Sequence, residues 1–159
     1  MPPVHQIAFG PDSFLILYVD DEQANCVAFK ATFRREAEII TASSLHESLE
    51  LLKTHPVDLL ITDHRMPSGT GLELLRTING MYPDITRVMV TAYGELELAK
   101  AALNEGGIRW FLEKPWNPDE LRKIIRQVYR EGVDRDLRRM EIYELQREKR
   151  IRQAAEKLI

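Results

Sequence analysis

Five short apolar runs, at residues 14–19, 37–41, 57–62, 86–91 and 108–112, alternate with segments of helical pattern, and this alternation constrains the fold more than any other feature. The runs are rich in Ile, Val, Leu and Phe and are continuous, the pattern of strands buried on both faces of a parallel sheet. Helices are expected near 22–34, 45–54, 70–80 and 95–105, with a fifth beginning after Pro118. Ser44 with Glu47 three residues on predicts a capping box, Gly106-Gly107 can close the fourth helix, and Pro56 and Pro83 interrupt helical continuation. Five β/α units predict one doubly wound α/β domain.

Length and composition set the bounds. At 159 residues and 44% hydrophobic, the chain has room for one domain with a core plus an appendage. Residues 1–12 read as a loose tail and 13–130 as the domain. The one cysteine, Cys26, excludes an internal disulfide framework and reads as a small core residue, and no Cys/His metal spacing occurs. A cytoplasmic location is expected. The apolar runs fall far short of the roughly 20 residues that cross a bilayer. Net charge is -3, yet residues 1–116 hold 10 Lys+Arg against 16 Asp+Glu while 117–159 hold 12 against 9. An acidic domain is a poor partner for nucleic acid. The mixed charges of the tail suit a solvated helix face.

Three of the runs end in charge. Asp20-Asp21-Glu22 follow the first, Asp63 follows the third, and Glu113-Lys114-Pro115 follow the fifth. Open α/β sheets place their chemistry at the carboxyl ends of their strands. A lone Asp in such a place is most often a turn former or helix cap, and Glu22 suits the dipole of a first helical turn. Three acids and one lysine together outweigh that reading. Asp63 is a candidate nucleophile, since a carboxylate can accept a phosphoryl group. Clustered carboxylates repel, so an oxygen-liking divalent cation is expected beside it, and Mg²⁺ with retained waters fits.

Four pieces in this order resemble the receiver domain of bacterial two-component response regulators, over about residues 13–130: Val19-Asp20-Asp21-Glu22, Asp63-His64-Arg65-Met66-Pro67 with Gly69 and Gly71, Val90-Thr91-Ala92-Tyr93, and Phe111-Leu112-Glu113-Lys114-Pro115. Gly106-Gly107-Ile108 and Lys114-Pro115-Trp116 look most like receivers that precede a separate output module. The resemblance implies a flavodoxin-like five-stranded parallel sheet of order 2-1-3-4-5. It also implies that a sensor histidine kinase or histidine phosphotransfer protein donates phosphoryl to Asp63. Asp21, Asp63 and the backbone carbonyl of Arg65 would hold Mg²⁺ directly, Asp20 would act mostly through water, and Lys114 would meet the phosphoryl oxygens. The Lys114-Pro115 bond is implied to be cis.

The same resemblance makes Thr91 and Phe111 the switch, the hydroxyl turning toward the phosphoryl group and the aromatic moving inward. Phe111 lacks the hydroxyl of the more common tyrosine. Ala92 leaves the site reachable, and Arg65 and Tyr93 stand where the lifetime of the acyl phosphate is set. His64 is given no role, and Trp110 and Trp116 read as packing. Two rivals come from other classes: a pseudo-receiver that binds partners without phosphorylation, and a phosphohydrolase with an aspartyl nucleophile. The first leaves a complete set of side chains unused. The second usually carries an acid two residues after the nucleophile, where Arg65 stands here.

Residues 131–159 read as a helical linker toward an output domain beyond Ile159. Gly132 costs roughly 1 kcal/mol in a helix interior, so a kink or break is expected there. Val133, Leu137, Met140, Glu144, Arg147, Ile151, Ala154 and Leu158 follow 4-3 spacing, which predicts a two-helix coiled coil with a weak polar middle and hence a homodimer. A single solvated helix is the competing expectation.

Overall fold

The computed structural model describes residues 14–92, 94–95, 100 and 107–158. The elements run β1 (Leu15–Val19), α1 (Gln23–Phe33), β2 (Glu38–Ala42), α2 (Leu45–Thr54), β3 (Leu59–Asp63), α3 (Gly71–Asn79), β4 (Thr86–Thr91), β5 (Trp110–Glu113) and a C-terminal helix, α4 (Pro118–Glu156). All strand pairs are parallel, in the order β2-β1-β3-β4-β5. The expected helix at 95–105 and the tail at 1–12 lie outside the described residues.

Continuous apolar strands give two cores because alternate side chains leave opposite faces. Ile16, Tyr18, Ile61, Val88 and Val90 pack with Phe29 and Phe33 of α1 and with Leu121, Ile124, Ile125 and Val128 of α4. Leu15, Leu17, Val19, Leu60 and Met89 pack with Leu52 of α2 and with Leu74, Leu75 and Ile78 of α3. The sheet is thus sandwiched, and its polar strand ends are left to one edge.

Helix starts follow local chemistry, with one exchange. Ser44 accepts from Glu47 N at 3.1 Å, but the Glu47 carboxylate turns to the backbone and hydroxyl of Ser43, so the box expected there is only half formed. The full box belongs to α3, where Thr70 and Glu73 bond reciprocally. Asn117 caps α4 by accepting from Asp119 N and Glu120 N.

The break expected at Gly132 does not occur. α4 is one helix of 39 residues, roughly 58 Å long at about 1.5 Å per residue. Arg109 forms a bidentate pair with Glu131 on one side of Gly132, and Arg139 bonds Asp84 at 2.8 Å on the other. These pairs anchor the helix to the loops before β5 and β4, which offsets the modest cost of one glycine. No helix among the described residues is long and apolar enough to cross a membrane.

Candidate functional site

Parallel pairing brings the charged strand ends together. Val19 of β1 is in register with Thr62 of β3, so Asp20 and Asp63 emerge side by side. His64 N donates to Val90 O at 3.0 Å and Lys114 N to Thr91 O at 2.8 Å, which carries the ladder one step past the strands and aims Lys114 back over β4. Lys114 Nζ donates to Asp20 Oδ2 and to Asp63 Oδ2, at 3.0 Å each. Asp21 is exposed. With Asp20 and Asp63 it presents carboxylate oxygens that all lie within 4.8 Å of one another. That donor set is purely oxygen and strongly anionic, so it fits a hard divalent cation. The Lys114-Pro115 bond is cis.

The electrostatics of the site follow from its burial. Asp63 is 8% exposed. Desolvation pushes its carboxyl above the ordinary Asp range, Lys114 pulls it down and the neighbouring Asp20 charge adds to the rise. Burial disfavours the Lys114 ammonium, but its bonds to Asp20 and Asp63 outweigh that and hold it above the usual lysine value. The charged lysine therefore balances two buried carboxylates.

Two small features fix the backbone that carries Asp63. Thr62 Oγ1 donates to the Asp63 carbonyl at 2.9 Å, and Gly71 N donates to His64 O at 2.8 Å, so the start of α3 closes on the end of β3. A Cβ on Gly71 would lie 2.3 Å from the Asp63 carbonyl oxygen. Gly71→Ala must therefore displace either α3 or the Asp63 backbone. We expect a loss of roughly 1–3 kcal/mol, the range of overpacked sites. Thermal denaturation is the check, and a melting temperature equal to wild type would contradict the contact.

Thr91 is fully buried, and its Oγ1 has no hydrogen-bond partner among the described residues. Phe111 is partly buried against the core cluster on the α2/α3 side of the sheet. Ala92 is exposed and, with Asn25, Lys114, Pro115 and Trp116, lines an open cleft beside the acids. The Arg65 side chain is 75% exposed and pairs with Glu95, while Tyr93 lies outside the described residues. His64 is held through its backbone, and its Nδ1 is buried without a partner among the described residues. Trp116 packs on Phe29 and Phe33, and Trp110 lies against the same core with Arg109 stacked on its ring.

Sequence reasoning passed over Tyr18 and Asn25. Both donate to Asp20 Oδ2, at 3.1 Å and 3.0 Å. For Tyr18 a signal existed, because two residues along a strand return a side chain to the same face as Asp20. Asn25 lies in the first turn of α1, and nothing in its spacing marks it.

Comparison with known proteins agrees with this geometry. The sequence model of the response regulator receiver domain matches residues 16–126. The hydrogenase transcriptional regulatory protein HoxA of Cupriavidus necator is 36% identical over 128 residues, which cover 80% of this chain and 27% of that protein. The response regulator protein PilR of Pseudomonas aeruginosa is 36% identical over 115 residues, 72% of this chain and 26% of that protein. The chain thus spans about a quarter of these relatives. Among solved structures, a response regulator receiver domain protein of Clostridium thermocellum superposes with a TM-score of 0.69 at 30% identity, covering 76% of this chain and 98% of that one. A protein of Neptuniibacter caesariensis gives 0.69 at 35% identity, covering 74% and 87%. The chain belongs to the response regulator receiver domain family, with the five-stranded flavodoxin-like fold of that family.

Proposed function

We propose that this receiver accepts a phosphoryl group on Asp63 from the phosphohistidine of a sensor histidine kinase or a histidine phosphotransfer protein, in the cytoplasm. The observation that carries the reading is the placement of Lys114 Nζ, at 3.0 Å from both Asp20 and Asp63 with Asp21 beside them. An Asp63 carboxylate oxygen attacks phosphorus, the P–N bond to the donor histidine breaks, and the electron pair leaves with the imidazole. Asp21, Asp63 and the Arg65 carbonyl would hold Mg²⁺ directly and Asp20 mostly through water, and the charge of the ion would offset the carboxylates and the incoming phosphoryl oxygens. Lys114 supplies a second positive charge in a partly desolvated place, where such groups act most strongly. The protein's contribution is positioning and electrostatics, as expected for a loose phosphoryl-transfer transition state. Arg65 and Tyr93, two residues past Asp63 and Thr91 in the sequence, set the lifetime of the acyl phosphate, and the small Ala92 leaves the way to it open.

Thr91 supports a switch, since a buried hydroxyl without a partner gains a hydrogen bond if it turns to a phosphoryl oxygen. Phe111 then fills the space behind it, and the altered face passes the signal toward an output module through α4. Uptake of one phosphoryl group from acetyl phosphate, read by intact mass, tests the reading. A chain that stays unlabelled with Mg²⁺ present contradicts it.

The occupant of the α4 face is a second copy of this chain. Leu137, Met140, Ile151 and Leu158 are exposed along the 4-3 seam, at 42% to 89%. Glu144 and Arg147 interrupt it, so the pairing is weak and concentration dependent. Ile142, Tyr143 and Leu145 are exposed too, off the seam. Sedimentation of the full chain should show a dimer that tightens with a beryllofluoride mimic, while a chain ending at Arg130 stays monomeric. Two monomers at high micromolar concentration, with and without the mimic, would leave α4 as a lone linker helix.

A further inference from the structure

The ion pair between Arg65 and Glu95 joins the two loops that leave β3 and β4 beside the acceptor. Arg65 stands two residues past Asp63 and Glu95 four residues past Thr91, and Asp63 and Val90 are register partners on these neighbouring strands. His64 N bonds Val90 O at 3.0 Å, so the loop that carries Arg65 leaves the sheet next to the end of β4. Past Ala92 the chain turns at once. Gly94 takes φ +84°, Glu95 N donates to Ala92 O at 3.2 Å, and the Glu95 carboxylate meets Arg65.

The pair is lopsided. Arg65 Nε meets Glu95 Oε1, with the arginine side chain 75% exposed and the glutamate side chain 15% exposed. Glu95 Oε2 is buried with no hydrogen-bond partner among the described residues. A guanidinium is a planar fork suited to two oxygens of one anion, yet one carboxylate oxygen here goes unmet. The glutamate is thus the desolvated and poorly satisfied partner, and the arginine the one with room to move. Lys114 bonds Asp63, while Arg65 is engaged by Glu95.

We propose that Glu95 is a positioning residue that keeps Arg65 occupied until a phosphoryl group on Asp63 takes the guanidinium from it. The inference rests on the phospho-receiver reading above and deepens the role given there to Arg65. A phosphoryl group brings more negative charge and more acceptor oxygens than the single carboxylate oxygen Arg65 now meets, so the fork gains by the exchange. Glu95 then loses its cation in a half-buried place. A carboxylate left that way is costly to keep from water, so the loop after Thr91 moves to expose it. Filling of the site is thereby coupled to the segment that follows the switch threonine.

Binding of beryllofluoride with Mg²⁺ to the full chain measures the exchange at equilibrium, followed by tryptophan fluorescence because Trp116 lines the cleft. If Arg65 must leave Glu95 to reach the mimic, the affinity is lowered by the fraction of molecules in which the pair is open. Glu95→Gln removes that competition and should tighten binding about two- to fivefold, the range of a partly exposed ion pair. Arg65→Gln should weaken binding, and adding Glu95→Gln to it should change the affinity by less than about twofold. Glu95→Ala should repeat both results, and the melting temperature of each variant shows that the fold persists. A structural role of Glu95, or its charge alone, would act whether or not Arg65 is present. Equal tightening in both backgrounds, no tightening by Glu95→Gln alone, or unweakened binding in Arg65→Gln overturns the proposal. Labelling of the wild type by acetyl phosphate separates the two levels: a labelled protein in which Glu95 acts independently of Arg65 rejects only the exchange. A wild type that takes neither label nor mimic rejects the receiver chemistry as well.

Discussion

Asp63→Asn will take up no phosphoryl group from acetyl phosphate, and in metal-free buffer near neutral pH it will melt above the wild type. The first result follows because the carboxylate is the nucleophile and an amide cannot replace it. The second follows from burial. Desolvation, helped by the Asp20 charge and opposed by Lys114, raises the Asp63 pKa in the folded chain. A group whose folded pKa is raised contributes stability that is present below its unfolded pKa and lost as pH rises through the folded pKa. At neutral pH the ionised Asp63 therefore opposes folding. Asparagine keeps the shape, and its carbonyl can still accept from Lys114. The gap between the two proteins should close as the pH falls and Asp63 takes its proton. Undiminished labelling of the variant, or a melting temperature below wild type that does not converge in acid, would contradict this account.

Lys114→Ala should slow labelling by about a hundredfold or more, the usual effect of removing one preorganised donor from a transition state. Lys114→Arg should fall between, because a planar fork cannot match a point charge set between two carboxylates. The alanine variant should also be less stable at neutral pH, since two buried carboxylates lose the cation they share. Breaking a fully buried pair costs roughly 3–5 kcal/mol. Lys114 is 26% exposed, and screening lowers the expected loss to about 1–3 kcal/mol. Lys114's raised pKa gives the sign: its stabilisation is present below the unfolded lysine value and is lost as pH rises through the folded one. Added Mg²⁺ should restore much of the difference. Equal labelling rates and equal melting temperatures in wild type and Lys114→Ala would remove the lysine from the chemistry.

The strand ends were legible because two simple rules coincide at Asp20, Asp63 and Lys114. Continuous apolar runs mark buried parallel strands, and such strands display their functional side chains at one edge. The periodicity located the strands to within two residues, with 108–112 observed as Trp110–Glu113 and 57–62 as Leu59–Asp63. What failed was local competition. The Glu47 carboxylate had Ser43 as a rival to its expected partner, and both polar groups of Ser43 won. Gly132 was judged by helix propensity alone, yet ion pairs made by Glu131 and Arg139 flank it, and their partners lie 22 and 55 residues away in sequence. The hold of Asn25 on Asp20 likewise depends on how α1 meets the sheet, which no spacing in the chain reveals. Tyr18 could have been placed on the Asp20 face by its register. Its hydroxyl's partner required the packing of Phe29 beneath the ring.

The most direct test of Asp63 as a metal-assisted phosphoryl acceptor is peptide-level mass measurement after exposure to acetyl phosphate, with Mg²⁺ and with excess chelator. The account predicts a single phosphoryl group on the peptide containing Asp63 when Mg²⁺ is present, and none in chelator. A phosphoryl group found on another residue, or equal labelling of Asp63 with the metal removed, would contradict it.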